Sequence, residues 1–298
     1  MAINEILLRH TFILNELKKR PLSFDDLQWH LETQGSIYGY NLNISQRTFQ
    51  RDIKLIKEIF GVEIYFDKAN KTYRISEENY KKNEWILDSL HTVAAANLGL
   101  NLSDYVLPDK RNSKGKEFFI DILTAIKKRK ILKLYYKKFI ADTWYEYKVE
   151  PLVLKEFRYR WYLLAYDTED GVIKTFGLDR IVEIEQTGLP VRRYINFDAK
   201  GFFRDFYGII TLEGAKPVRV VLSFDPAQGK YIKTVPVHHS QKILVDDEKE
   251  LRIELNLVPT EDFIMDLLSH GDRVKVLSPE SLADEIKNIL QNAIEKYG

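Results

Sequence analysis

The spacing of hydrophobic residues near the start of the chain predicts two helices. Apolar side chains recur every three or four positions over 3–17, and Pro21 ends that run. Ser23 is placed to cap a second, short helix. Residues 34–43 (QGSIYGYNLN) are rich in turn formers, so we expect them to connect this helix to the next one.

A third helix is predicted between Ser45 as its N-cap and Gly61 as its C-terminal stop. Its sequence, SQRTFQRDIKLIKEIF, places the apolar residues on one face and the long polar side chains on the other. The segments VEIYF and KTYRI follow, and the turn DKAN between them indicates a β-hairpin with a basic tip. Residues 1–76 therefore form one predicted domain.

The pattern changes after this domain. Residues 80–100 predict an amphipathic helix, the polar stretch 101–116 predicts a flexible linker, and a further helix follows at about 116–129. We interpret 77–129 as a helical linker.

Aromatic and β-branched runs over 130–187 predict five short strands, with a hairpin turn at Asp170-Gly171. Short strands at this spacing favour a small β-barrel. The glycine-rich residues 188–214 are expected to be an irregular connector. Residues 215–298 alternate strands with helices and predict a small α+β module, so the chain is a multidomain α+β protein.

Composition narrows the class of protein. The chain has 298 residues and no cysteine, which excludes disulfides, thiolate metal sites and a cysteine nucleophile. We find no signal peptide and no membrane span, and we expect a cytoplasmic protein. The net charge is only +1, from 45 basic and 44 acidic residues, so any nucleic acid must be bound by local basic patches.

The third helix supplies such a patch. Long hydrogen-bond donors project from its first two turns, as readout of base edges in the DNA major groove requires. The candidate DNA-binding residues of the helix and hairpin are Ser45, Gln46, Arg47, Thr48, Gln50, Arg51, Lys68 and Lys71. The alternative is that these residues are an ordinary solvated helix face.

Three segments resemble one known family. RTFQRDI followed by YFDKANKTYRI looks like the N-terminal winged helix of DeoR-like bacterial regulators. RWYLLAYD followed by KTFGLDRI resembles the WYL domain, which is named for that tripeptide. The end of the chain, LLSHGDRVKVLSPESLADEIKNIL, is similar to the extension that often follows WYL domains.

This resemblance implies a bacterial transcriptional regulator. A winged helix-turn-helix would bind duplex DNA, and an Sm-like (SH3-like) β-barrel would sense single-stranded DNA or a nucleotide. A ferredoxin-like C-terminal module would contribute to dimerisation or ligand contact. We therefore expect a homodimer that needs no cofactor.

Basic and aromatic residues in the WYL-like segment are the candidate effector site. Lysine and arginine can hold phosphates while rings stack on bases. The candidates are Tyr136, Lys155, Arg158, Tyr162, Lys174, Phe176 and Arg180. The alternative is ordinary barrel core with a charged outer face. The family often has arginine where Lys174 stands and a polar residue where Gly177 stands, which leaves the identity of the ligand open.

No catalytic motif of a known type is present, and we expect neither an enzyme nor a metal site. His238 and His239 would point to opposite faces if they lay in a strand. The leading hypothesis is a ligand-responsive regulator. The alternatives are a nucleic-acid-processing enzyme and a nucleic-acid-binding accessory protein that responds to no effector.

Overall fold

The computed structural model describes residues 3–80, 83, 114–139, 143–194 and 196–298. The chain divides into two compact units, residues 1–109 and 110–298. Most of the helix predicted over 80–100 and of the linker predicted over 101–116 lies outside the described residues. None of the described helices is both long enough and apolar enough to cross a membrane.

The described part of the first unit has helices followed by a hairpin, in the predicted order. Its elements are α1 (Ile3–Lys19), α2 (Phe24–Tyr38), α3 (Gln46–Phe60), β1 (Ile64–Asp67) and β2 (Thr72–Ile75). The predicted caps are present. The hydroxyl groups of Ser23 and Ser45 accept hydrogen bonds from the third backbone N–H that follows each of them. Gly61 ends α3 in the left-handed conformation, with φ of 67°.

The connector predicted over 34–43 is partly wrong, because α2 continues through Gly35 to Tyr38. Gly35 is buried, and a Cβ atom there would lie 2.4 Å from the carbonyl oxygen of Tyr40. The glycine therefore lets the returning chain pack on the helix, whereas its composition had suggested a break.

A buried ion pair joins α1 to α3. Arg9 Nε lies 2.6 Å from Asp52 Oδ2, and both side chains are fully buried. His10 Nε2 lies 3.3 Å from the other carboxylate oxygen. Burial alone would raise the pKa of Asp52, but the neighbouring His10 and Arg9 outweigh it and lower this pKa. The pair fixes α3 against the core of the unit.

A five-stranded antiparallel sheet dominates the first half of the second unit. Its elements are α4 (Phe119–Lys128), β3 (Lys130–Lys137), β4 (Trp144–Phe157), β5 (Arg160–Asp167), β6 (Ile173–Gly177) and β7 (Ile181–Pro190). The strand order is β6-β5-β4-β3-β7. A 3-10 turn, Leu178–Arg180, connects the two edge strands.

The sheet expected to be a small β-barrel is not closed, because no pairing joins β6 to β7 among the described residues. The spacing of apolar runs predicts where strands lie, but closure depends on whether the edge strands meet. Here the short β6 ends at Gly177, and the 3-10 turn directs the chain across to pair with β3.

The two faces of this sheet are covered by different segments. One face packs on Ile122 and Ala125 of α4. The other face carries Leu164 and Tyr166, which pack against phenylalanines of the connector. The connector, predicted to be irregular, contains a short helix, α5 (Ala199–Phe203).

A four-stranded antiparallel sheet forms the end of the chain. Its elements are β8 (Val218–Phe224), α6 (Pro226–Thr234), β9 (Lys242–Asp246), β10 (Leu251–Leu257), α7 (Glu261–Ser269), β11 (Val274–Ser278) and α8 (Glu280–Glu295). The order is β11-β8-β10-β9. Alternate residues of β10 are buried, and the helices pack on that face.

The connector joins the two sheets of the second unit. The ring of Tyr207 lies between those of Phe157 and Phe263, with centroids 5.7 and 5.6 Å away. Asp262 Oδ2 accepts hydrogen bonds from the backbone N–H groups of Ile209 and Ile210. The connector thus contacts both the five-stranded sheet and the C-terminal module.

Candidate nucleic-acid and effector sites

The first two turns of α3 present long polar side chains to solvent. Gln46, Arg47 and Arg51 are exposed, and no described residue forms an ion pair with either arginine. Ser45 serves as the helix cap, and Gln50 Nε2 donates to the hydroxyl of Tyr73 at 3.0 Å. The exposed face therefore presents the side-chain donors of Gln46, Arg47 and Arg51 to solvent. Hydrogen bonds hold the neighbouring side chains of Ser45 and Gln50 in place. Thr48, also a candidate, is half-buried beside Ser45.

The hairpin tip is a second exposed basic element. Asp67 Oδ1 accepts hydrogen bonds from the backbone N–H groups of Ala69 and Asn70, which orders the turn. Lys68 and Lys71 are both exposed at this tip. An ordered turn with two outward lysines can contact a phosphate backbone without reading sequence.

The structure brings three of the seven effector-site candidates, Lys155, Tyr162 and Arg180, together around Gly177. Lys155, Tyr162 and Gly177 are direct partners across β4, β5 and β6, so they share one sheet face. A Cβ atom on Gly177 would lie 3.0 Å from Arg180 Nη2, which places that guanidinium over the end of the row. We call Lys155, Arg160, Tyr162, Asp179 and Arg180 the basic corner.

Lys155 has an uncommon environment for a lysine. The residue is half-buried, and its ammonium lies 4.0 Å from the ring centroid of Phe203 and forms no ion pair with a described residue. Burial lowers the pKa of Lys155, and the charge of Asp262 only partly opposes this. An ammonium group without an acceptor is ready to receive one from a ligand.

Two arginines share one carboxylate at the other end of the corner. Asp179 Oδ2 lies 3.4 Å from Arg160 Nη1, and Asp179 Oδ1 lies 4.0 Å from Arg180 Nε. Asp179 Oδ1 and Arg180 Nε are buried, and neither forms a hydrogen bond with a described residue. Since bidentate arginine–carboxylate pairs close to about 2.7–2.9 Å, Asp179 holds both arginines loosely.

Two candidates belong to the core. Tyr136 and Phe176 are only 4% and 3% exposed and pack in the cluster beneath α4. The hydroxyl of Tyr136 accepts a hydrogen bond from Gly177 N, and burial raises the pKa of Tyr136 to about 12. Tyr136 also supports the corner from below, because the Arg180 guanidinium lies 5.1 Å from its ring centroid.

The remaining two candidates already have partners. Arg158 Nη2 lies 2.9 Å from Asp266 Oδ1, on α7 of the C-terminal module. Lys174 Nζ lies 2.7 Å from Asp167 Oδ2, and it also pairs with Asp170. Lys174 is opposite Ala165 in the sheet and so is not part of the row. Their roles in ligand binding stay predictions.

Sequence reasoning missed Arg160, Asp179 and Phe203 as members of this site. Arg160 directly precedes the WYL tripeptide and Asp179 lies within KTFGLDRI, so their charges were a usable signal. Nothing in the sequence signalled Phe203, because it reaches Lys155 from the connector.

The adjacent histidines do not lie in a strand. His238 and His239 follow α6, and their ring centroids are 4.1 Å apart. His238 contacts the Ser240 hydroxyl and the carbonyl oxygen of Arg204. In the described parts of the chain no three His, Asp or Glu side chains cluster as metal ligands would.

In this chain a five-stranded sheet with a basic corner is followed by an α+β module. Comparison with known protein families identifies both domains. Residues 117–186 match the WYL domain, and residues 216–294 match the WCX domain. The chain therefore contains a WYL domain and a WCX domain. These matches confirm the WYL part of the resemblance and place a second known domain where the C-terminal extension was expected.

Two solved structures are distantly similar to the chain. The proteasome accessory factor B/C (PafBC) of Arthrobacter aurescens is 20% identical over 90% of this chain and 45% of its own, with a TM-score of 0.29. The chain thus spans less than half of that protein. A CRISPR Cas-related protein is 9% identical over 99% of this chain and 85% of its own, with a TM-score of 0.41. No curated protein matches the chain significantly.

Proposed function

We propose that the chain is a ligand-responsive bacterial transcriptional regulator. The first unit, as a winged helix-turn-helix, binds duplex DNA through α3 and the hairpin tip. The WYL domain binds a nucleotide or single-stranded nucleic acid at the basic corner. The regulator acts as a cytoplasmic homodimer, and the presence of WYL and WCX domains in their expected order supports this proposal.

One observation carries the effector part of the proposal. Three cations, Lys155, Arg160 and Arg180, lie at one corner with Asp179 as the carboxylate between the two arginines. An excess of positive charge on a partly buried surface favours an anionic ligand. Tyr162 is in the same row, and the 73% exposed ring of Phe139 lies beside Arg180, so bases can stack next to the phosphates.

The DNA part is supported by the exposed donors of α3. Arg47 and Arg51 are one turn apart at the start of a helix whose other face is anchored in the core. This arrangement suits insertion of a helix into the major groove, where arginine reads guanine in a bidentate manner.

The effector site is tested by reversing the charge of Lys155. We expect Lys155→Glu to abolish binding of a fluorescent single-stranded oligothymidylate in anisotropy titrations. The matched control is Lys242→Glu, which changes an exposed lysine of the other sheet by the same charge. Binding by the wild type should also weaken steeply with salt, because phosphate contacts release counterions.

Two results would contradict this assignment. Equal binding by the wild type and Lys155→Glu would place the ligand elsewhere. Failure of the wild type to bind any nucleotide or oligonucleotide would favour the effector-independent accessory protein. No specific observation favours the nucleic-acid-processing enzyme.

A further inference from the structure

The chain enters the WYL domain through a glycine that touches the basic corner's own turn. Gly115 has φ of 85°, and a Cβ atom there would lie 2.0 Å from the carbonyl oxygen of Leu178 and 2.7 Å from Asp179 N. No side chain fits between them. The backbone of residue 115 and the 3-10 turn Leu178–Arg180 are therefore packed directly against each other.

The same turn carries the loosely held carboxylate. Asp179 reaches Arg160 and Arg180 only at 3.4 and 4.0 Å, and there is room for it because residue 177 has no side chain. A Cβ atom on Gly177 would lie 2.7 Å from Asp179 Oδ1. An incoming phosphate offers both arginines better acceptors, so it competes with Asp179 and displaces its side chain.

A second contact joins the corner to the residues that follow Gly115. Trp161 stands between Arg160 and Tyr162 in β5, and its ring centroid lies 4.7 Å from that of Phe119 at the start of α4. Phe118 N donates to the carbonyl oxygen of Gly115 at 3.2 Å. Residues 115–119 are thus attached both to the turn and to the strand of the effector site.

We propose that occupancy of the basic corner is transmitted to the rest of the chain through the contact between the 178–180 turn and Gly115. The residues before 114 connect this contact to the first unit along the chain. Displacement of Asp179 shifts the turn, and the turn shifts Gly115, because a packed backbone contact moves as a unit. This inference rests on the proposed function and assigns the regulatory route of the same site.

The test uses two glycines with similar backbone conformation. Gly115→Ala forces the turn away from residue 115. Gly188→Ala is the matched control, because Gly188 has φ of 72° but nothing lies within 4 Å of a Cβ atom there. Both variants of the full chain are titrated with fluorescent oligothymidylate, and hydrogen–deuterium exchange of residues 114–119 is measured with and without it.

We expect all three proteins to bind oligothymidylate. Binding should change amide exchange at 114–119 in the wild type and in Gly188→Ala, and this response should be lost in Gly115→Ala. A wild type that binds without a change at 114–119, or a Gly115→Ala variant that responds like the wild type, overturns the inference and leaves the proposed function intact. Failure of the wild type to bind overturns both.

A second variant keeps the test independent of the folding of Gly115→Ala. Asp179→Asn retains the backbone contact but weakens the hold on both arginines. Without any ligand, its exchange at 114–119 should shift from the unbound wild-type pattern toward the bound one. Identical exchange in Asp179→Asn and in the unbound wild type would overturn the inference.

Discussion

Lys155 is the residue at which we expect protonation to control anion binding. Burial lowers its pKa from the usual 10.5, so the ammonium loses its proton at a lower pH than an exposed lysine does. Loss of the proton removes the charge, and affinity for oligothymidylate should fall as the pH rises through the alkaline range. Lys155→Arg keeps the charge and should flatten this profile in titrations over a pH series.

Linkage between proton binding and anion binding gives the direction of this pH dependence. A bound anion favours the charged form, so the complex has a higher Lys155 pKa than the free protein and takes up protons at alkaline pH. A wild-type profile as flat as that of Lys155→Arg would show that the Lys155 charge does not contribute to binding.

Asp179 should act as a competitor of the ligand. Asp179→Asn is expected to raise oligothymidylate affinity by about two- to fivefold, which is the range of a partly exposed ion pair. Asp170→Asn removes the same charge from the pair with Lys174 and should have a smaller effect. Equal gains in the two variants, measured by anisotropy, would attribute the effect to net charge alone.

Residues of the effector site were only partly predictable. The sequence selected Lys155 and Tyr162 as candidates from their residue types, whereas their pairing across β4 and β5 is visible only in the structure. Alternation alone could not show that α4 covers the face that holds Phe176. Nor could it pair Arg158 with Asp266, since that partner is 108 residues away in sequence.

At the scale of elements, the Arg9–Asp52 pair fixes α3 to α1. Asp52→Asn removes the carboxylate charge from this buried pair and should reduce the free energy of unfolding of the first unit by about 3–5 kcal/mol. Urea unfolding followed by circular dichroism measures this loss. Asp25→Asn, an exposed substitution on α2, is the control, and equal midpoints for the two variants would refute the role of the pair.

Elements were predictable wherever their signals are local. Ser45 and Gly61 mark the ends of α3 because capping involves only neighbouring residues. Gly35 was misleading because its role is set by a contact with the returning chain. The runs of apolar residues could not show whether the predicted barrel closes, since pairing of edge strands is a property of the whole sheet.

At the scale of the whole molecule, DNA reading should depend on α3 and the hairpin tip in different ways. Arg47→Ala and Arg51→Ala should each cost about 1–3 kcal/mol of binding to a preferred duplex selected from a randomised library. Lys71→Ala should weaken all duplexes alike and reduce the salt slope by about 1. Unchanged duplex affinity in a folded Arg47→Ala/Arg51→Ala double variant would contradict the assignment of α3 as the helix that reads DNA.

The most direct measurement of ligand-responsive DNA binding is duplex affinity with and without saturating oligothymidylate. We predict that the affinity of the wild type for its selected duplex changes by about 5- to 150-fold, the usual range of allosteric coupling. Lys242→Glu should respond equally, whereas the duplex affinity of Lys155→Glu should be the same with and without oligothymidylate. A wild type whose duplex affinity does not change, or a Lys155→Glu variant that responds fully, would contradict the account.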